Sequence, residues 1–171
     1  NSLDGNSHTI TILGDNGNGG FGLFNSISSS SIIKNLNVVY DVLNDDYDTN
    51  SYTIDMSSTS TAALGGFAGQ NSGVITNCKV TYNANVKIVA KPNSTNDISG
   101  AVAGFVSANS GKITYSTVDT TKESGVAISY STSEKYTYTD DTTKEEVTSN
   151  VAVSLNMAGF VNSNTNLVSN C

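Results

Sequence analysis

One repeated phrase limits what this chain can fold into. "GGFAGQNSGVITNC" at 65–78 returns as "AGFVSANSGKITYS" at 103–116 and "AGFVNSNTNLVSNC" at 158–171, with a looser version, "FGLFNSISSSSIIKNL", from Phe21. Aligned on glycine, Gly22, Gly66, Gly104 and Gly159 form one column, and Leu23, Phe67, Phe105 and Phe160 the next. Ile33, Ile75, Ile113 and Val168 share a third column, and Leu36, Cys78, Ser116 and Cys171 a fourth, three residues further on. Self-similarity of this kind describes a unit that cannot bury its inward face alone and is completed by its neighbours.

A strand alternates faces with period two, so two inward residues three positions apart cannot share one straight strand. A corner must fall between the third and fourth columns. The residues just before the fourth column are Asn35, Asn77, Tyr115 and Asn170. Asn is the non-glycine residue that best tolerates the left-handed conformation such a corner uses. Alternation then resumes, with Leu36, Val38 and Tyr40 inward in one copy and Cys78, Val80 and Tyr82 in the next.

No stretch carries a helical apolar period, and strands this short need partners. The expected fold is all-β: a parallel β-helix (β-solenoid) with loop and hairpin insertions, forming a single repeat module over 1–171. A sandwich of hairpins is the competing arrangement, but it gives no reason for one column order to recur. The column glycines are 44, 38 and 55 residues apart, so the core words stay fixed while the intervening lengths vary. The variable segments are expected to leave the coil at one corner, as insertions near 44–60, 90–97 and 129–150. The last contains "KYTYTDDTTKEEVT", whose alternation predicts a protruding hairpin.

Charge narrows the function classes. All 8 basic residues are Lys, against 15 acidic ones, for a net charge of -7. Without Arg or a basic stripe, nucleic-acid binding lacks its electrostatic footing. No apolar run approaches the roughly 18 residues that span a bilayer, so no membrane insertion of this segment is expected. Short alternating runs of Val, Ile, Phe and Tyr argue for order despite the polar composition. The opening "NSLDGNSHTI" is read as that of an excerpt or a processed form of a longer chain.

The phrase at 65–78 resembles the GLUG repeat of large bacterial surface and adhesin-like proteins: Gly-Gly-Leu-Val-Gly, a polar turn with Asn and Gly, then Ile-x-Asn-Cys or Ile-x-Asn-Ser. "LDGNSHTITILG" at 3–14 is similar to a phrase that often precedes such repeats. The resemblance implies an extracellular or cell-surface β-helical structural or adhesive module that displays loops, with no catalytic residues to carry over. The resemblance identifies no ligand; the expected partners are neighbouring modules of the same long chain or assembly, and a glycan or cell-surface receptor.

Candidate sites are few. Cys78 and Cys171 share a column with Ser116 between them, which puts them about 9 to 10 Å apart at the usual strand spacing. A disulfide needs α-carbons within about 7 Å, so two inward thiols acting as small core residues are expected. His8, the one histidine, is read as a turn or capping residue. Asp45, Asp46 and Asp48 space oxygens as a calcium loop begins, but Ser51 and Ser57 stand where its Gly and Glu would fall. Solvated loop charge is the expected role, with weak calcium binding the alternative and no other cofactor implied. Asp140, Asp141, Glu145 and Glu146 read as a solvated hairpin face.

Enzymes built on β-helices use paired carboxylates, or a basic residue with calcium. Here the carboxylates fall in loops away from the repeating strands, so the chain is expected not to be an enzyme. The alternative is a carbohydrate-binding or polysaccharide-processing β-helix protein, with Tyr130, Tyr136 and Tyr138 as stacking platforms. Asn93, in "PNSTND", meets the N-glycosylation rule and lies in an expected surface loop.

Overall fold

In the computed structural model, the described residues are 1–14, 21–42, 51–56, 61–121 and 128–171, and among them there is no helix. The chain is all-β, and its strands pair mostly in parallel, in several sheets. The first sheet takes Ser2–Asp4, Ile32–Lys34, Val74–Thr76, Lys112–Thr114 and Val168–Ser169. The second takes Thr9–Gly14, Asn37–Val42, Lys79–Tyr82 and Thr117–Thr120, and the third Ser51–Met56, Asn85–Ala90 and Ile128–Thr132. Thr61–Gly65, Ile98–Ala103 and Val153–Ala158 make the fourth, and Phe24–Ile27, Ala68–Asn71, Val106–Asn109 and Val161–Asn164 the fifth.

From Thr61 to Ala90 the chain visits the fourth, fifth, first, second and third sheets in turn, and from Ile98 to Thr132 it repeats the visit one tier higher. The repeated words therefore sit in register on one another. Ile33 pairs with Ile75, Ile75 with Ile113, and Ile113 with Val168, all in parallel. The opening contributes a further tier, because Leu3 pairs with Ile33.

The expected corner is present. Asn35, Asn77, Tyr115 and Asn170 have φ of 53°, 50°, 51° and 55°, the left-handed region. This brings Ile75 and Cys78, three residues apart, into the same interior, where both are buried. Beyond the corner Val38, Tyr40 and Val42 point inward on the second sheet, as do Val86, Ile88 and Ala90 on the third.

Aromatic columns fill the interior. Phe67 and Phe105 stack with centroids 5.0 Å apart, Phe105 and Phe160 at 4.9 Å, and Tyr40 and Tyr82 at 5.1 Å. Such contacts contribute about 0.5–1.5 kcal/mol each beyond area burial. A second, smaller cluster joins Ala90, Ile98 and Val151.

The insertions differ from expectation in two ways. Ser51–Met56, inside the segment read as an insertion near 44–60, pairs with Asn85–Ala90, and Ile128–Thr132, at the start of 129–150, pairs with the other edge of the same strand. Their alternating residues supply tiers of the third sheet. The variable lengths also leave at two junctions instead of one. They lie between the second and third sheets, as 43–50, 83–84 and 121–127, and between the third and fourth, as 57–60, 91–97 and 133–152. The junctions linking the fourth, fifth, first and second sheets stay two residues long in the complete passes, as 66–67, 72–73, 77–78, 104–105, 110–111 and 115–116. The expected hairpin forms: Lys135–Thr139 pairs antiparallel with Glu146–Asn150.

Candidate functional site

The constant side of the stack is held by ladders of like side chains. On the outer corner, Asn77 donates an amide hydrogen bond to Asn35 Oδ1 at 2.7 Å, and Asn35 donates to Asp4 Oδ1 at 2.9 Å. Asp4 also accepts from the backbone N–H of Asn6 and pairs with Lys34 at 3.0 Å. The Asn35 amide first, then the Asn6 N–H and Lys34, hold its carboxyl down at about 2. One corner earlier in the chain, a second ladder runs from the buried Asn71 Nδ2 to the buried Asn109 Oδ1 and from Asn109 Nδ2 to the exposed Asn164 Oδ1, each at 2.7 Å.

Between the outer corner and the start of the second sheet lies an open groove of about 270 Å³. Asn35, Asn77 and Tyr115 line one side; Asn37, Lys79 and Thr117 line the other. Lys79 is paired with Asp119 at 3.2 Å, and that bond is the main reason the Asp119 carboxyl lies below the usual carboxylate range. The groove thus offers amides, a hydroxyl, one neutralised cation and the ring of Tyr115, which is 63% exposed.

No family model matches the chain, and neither a curated protein nor a solved structure is significantly similar to it.

The sequence candidates fall at scattered positions. Asp45, Asp46 and Asp48 lie outside the described residues. Among the described residues no group of three or more His, Cys, Asp or Glu converges as metal ligands would. His8 is exposed and follows Asn6 and Ser7, both left-handed, with its Nδ1 3.0 Å from the Gly5 carbonyl, so it belongs to the first turn. Asn93 is exposed in the connection 91–97.

On the hairpin, Tyr136 and Tyr138 stack at 5.7 Å, while Tyr130 lies on the third sheet, half exposed. Asp140 accepts the N–H groups of Thr143 and Thr142 at 2.7 and 2.8 Å, which lowers its pKa and ties the hairpin turn. No helix among the described residues is long and apolar enough to cross a membrane.

The two cysteines part company. Cys78 is buried, and burial pushes its thiol up to about 11. Cys171 occupies the equivalent column position, with its Sγ 4.0 Å from the Ile113 carbonyl as Cys78 Sγ is 3.9 Å from that of Ile33, but it is exposed, so it is not the core residue expected. Cys78 has Ser116 above it, whose hydroxyl accepts its backbone N–H at 3.2 Å, whereas no described tier covers Cys171.

Sequence reasoning missed the second Asn ladder and the tier at Leu3. A signal for the ladder was available, since Asn71, Asn109 and Asn164 each follow the column glycine by five residues.

Proposed function

We propose that the chain is a non-catalytic module of an extracellular or cell-surface protein, coiled as a parallel β-helix, that holds variable loops outward for attachment or assembly. The observation carrying this reading is the division of the connections. Junctions on one side are two residues long in each complete pass and keep their columns in register, while those on the other side vary freely in length. Loops carried by a rigid framework are where recognition usually resides. A net charge of -7 without a single Arg suits solvent exposure.

The likeness of 65–78 to the GLUG repeat supports the surface setting, with neighbouring modules of the same long chain as partners. No cofactor is part of the reading beyond weak calcium at Asp45, Asp46 and Asp48. The alternative is a carbohydrate-binding or polysaccharide-processing β-helix. The stacked pair Tyr136 and Tyr138 favours its binding form.

The hairpin is the first candidate for attachment. Ser131 and Thr132 pair with Val89 and Ala90, so they belong to the stack, and Val151 is buried with its N–H on the Glu134 carbonyl at 2.8 Å. Residues 135–148 can therefore be replaced by a short Gly-Ser link that keeps both in place, at the loss of Tyr136, which packs against the cluster of Ala90, Ile98 and Val151. Beads coated with the intact chain and with this variant are compared for retention on cell layers and on immobilised polysaccharides. Retention of the intact chain and its loss in the folded variant are expected. Equal retention of both removes the hairpin from attachment, and release of reducing ends from acidic polysaccharides would overturn the non-catalytic reading.

A further inference from the structure

The outer corner column contains one break. Asn35, Asn77, Tyr115 and Asn170 take the second to fifth tiers; Asn77 donates to Asn35, and Asn35 donates to Asp4, which lies in the first tier opposite Lys34, one residue before the column. An Asn at the fourth tier would donate to Asn77 Oδ1 as Asn77 donates to Asn35. Tyr115 has no amide to do so, and Asn77 Oδ1 accepts no side-chain bond among the described residues. Tyr115 also adopts φ of 51°, a conformation easy for Asn and uncommon for an aromatic residue. Its ring is 63% exposed, so burial does not compensate for either loss. A residue that breaks the local rule on two counts without a packing gain points to use of its side chain.

The surroundings say what that use would be. The groove beside Tyr115 follows the stack axis from Ser7 to Thr117, four tiers, or about 14 Å at the usual strand spacing. Its volume, about 270 Å³, is small and open, suited to a ligand lying along it. The open acceptor of Asn77, the hydroxyl of Thr117 and the amide of Asn37 meet groups that both donate and accept. The ring of Tyr115 meets an apolar face. Lys79 is neutralised by Asp119, so the groove has no cation cluster with which to hold phosphate or sulfate.

A sugar ring presents hydroxyls at its edge and C–H groups on its face, which matches this set. We propose that the groove binds a neutral glycan, with one pyranose ring against Tyr115 and a hydroxyl donating to Asn77 Oδ1. The site lies on the constant side of the stack and needs neither the hairpin nor the attachment role proposed above. Deleting 135–148 should leave glycan binding intact, so the two readings fail separately.

The test titrates the isotope-labelled chain with methyl glucoside, methyl galactoside and methyl mannoside, and with neutral β-linked trisaccharides of glucose, galactose and mannose, followed by amide shift changes. Sugars are taken to about 50 mM, above the millimolar range of weak binding. Shifts concentrated at Asn77, Tyr115 and Thr117 are expected, with at least one trisaccharide binding more tightly than its monosaccharide. Tyr115→Phe should bind like the parent. Tyr115→Asn should weaken binding by about tenfold or more, as loss of a central aromatic contact does, while raising the melting temperature because the ladder is completed.

Thr117→Val, close in shape to the parent side chain, supplies a second reading should Tyr115→Asn fail to fold, with about threefold weakening expected on loss of one hydrogen bond. No shift at the groove with any sugar, unchanged binding in Tyr115→Asn, or unchanged binding in Thr117→Val when Tyr115→Asn does not fold would overturn the proposal. Equal affinity for single rings and trisaccharides would overturn an extended ligand along the axis.

Discussion

Tyr82 Oη donates a 2.7 Å hydrogen bond to the carbonyl oxygen of Gly104, which lies one tier above Gly66 in the glycine column. Tyr40 does the same to Gly66 at 2.6 Å, so each buried phenol ties the second sheet to the junction before the fifth. The phenol reaches that carbonyl because the column residue has no side chain. A Cβ built on Gly66 would run into Tyr82 Oη and the Gly104 carbonyl, whereas one on Gly159 meets nothing within 4 Å. Gly66→Ala should therefore destabilise by about 1–3 kcal/mol, as overpacking commonly does, and Gly159→Ala should be nearly neutral. Denaturant unfolding of both variants checks this, and equal effects would mean that the column is not packed as described.

Ile75 is fully buried between Ile33 and Ile113, while the Asp141 side chain is fully exposed in the hairpin turn. Truncating Ile75 to Ala should destabilise by about 2–4 kcal/mol, the usual range for an aliphatic core deletion. Asp141→Ala should change stability little. The midpoints of chemical unfolding separate the two, and comparable losses would reverse the assignment of inside and outside.

Asp4 gives the chain a specific acid response. Its carboxyl titrates at about 2 in the folded protein against an ordinary value of 3.8, first because the Asn35 amide binds it. The unfolded chain therefore takes up more protons between these values, and the stability that Asp4 contributes, full above about pH 4, is lost as pH falls through about 2. Asp4→Asn should flatten the fall in melting temperature across that window. Because the pair with Lys34 is solvent-exposed, added salt should shrink the difference between parent and variant. A variant whose acid profile matches the parent's would remove Asp4 from the acid response.

The two thiols should label in sequence. Cys171 is exposed, whereas Cys78 is buried and its thiol is raised to about 11, so little thiolate is present at neutral pH. Iodoacetamide at pH 8 should modify Cys171 readily and Cys78 only on unfolding, as followed by mass spectrometry. Rapid modification of both in the folded protein would contradict the packing of the Ser116 tier over Cys78.

The repeated words made the inward columns legible, because identical inward residues at identical offsets leave little freedom in register once strands pair in parallel. The three-residue step from Ile75 to Cys78 required a corner, and the Asn between them indicated its handedness; Asn77 adopts φ of 50°. Hairpin alternation at 135–148 was equally readable, since its cross-strand pairs are local in sequence.

Other features depend on what lies above and below a residue, which a single copy of the phrase does not state. Asn71 and Asn109 look like turn residues until stacking faces their amides across 38 positions and buries them. Ser51–Met56 reads as part of a polar insertion until Asn85–Ala90 is beside it. Cys78 reads as one more column member until Ser116 in the next tier closes over it. The sequence by itself determined which residues turn inward and where the chain bends, since period and backbone preference are local properties. The tertiary structure alone decided which ladders close, which column members are covered and that Tyr115 interrupts an amide ladder beside a groove, because each of these depends on the neighbouring tier.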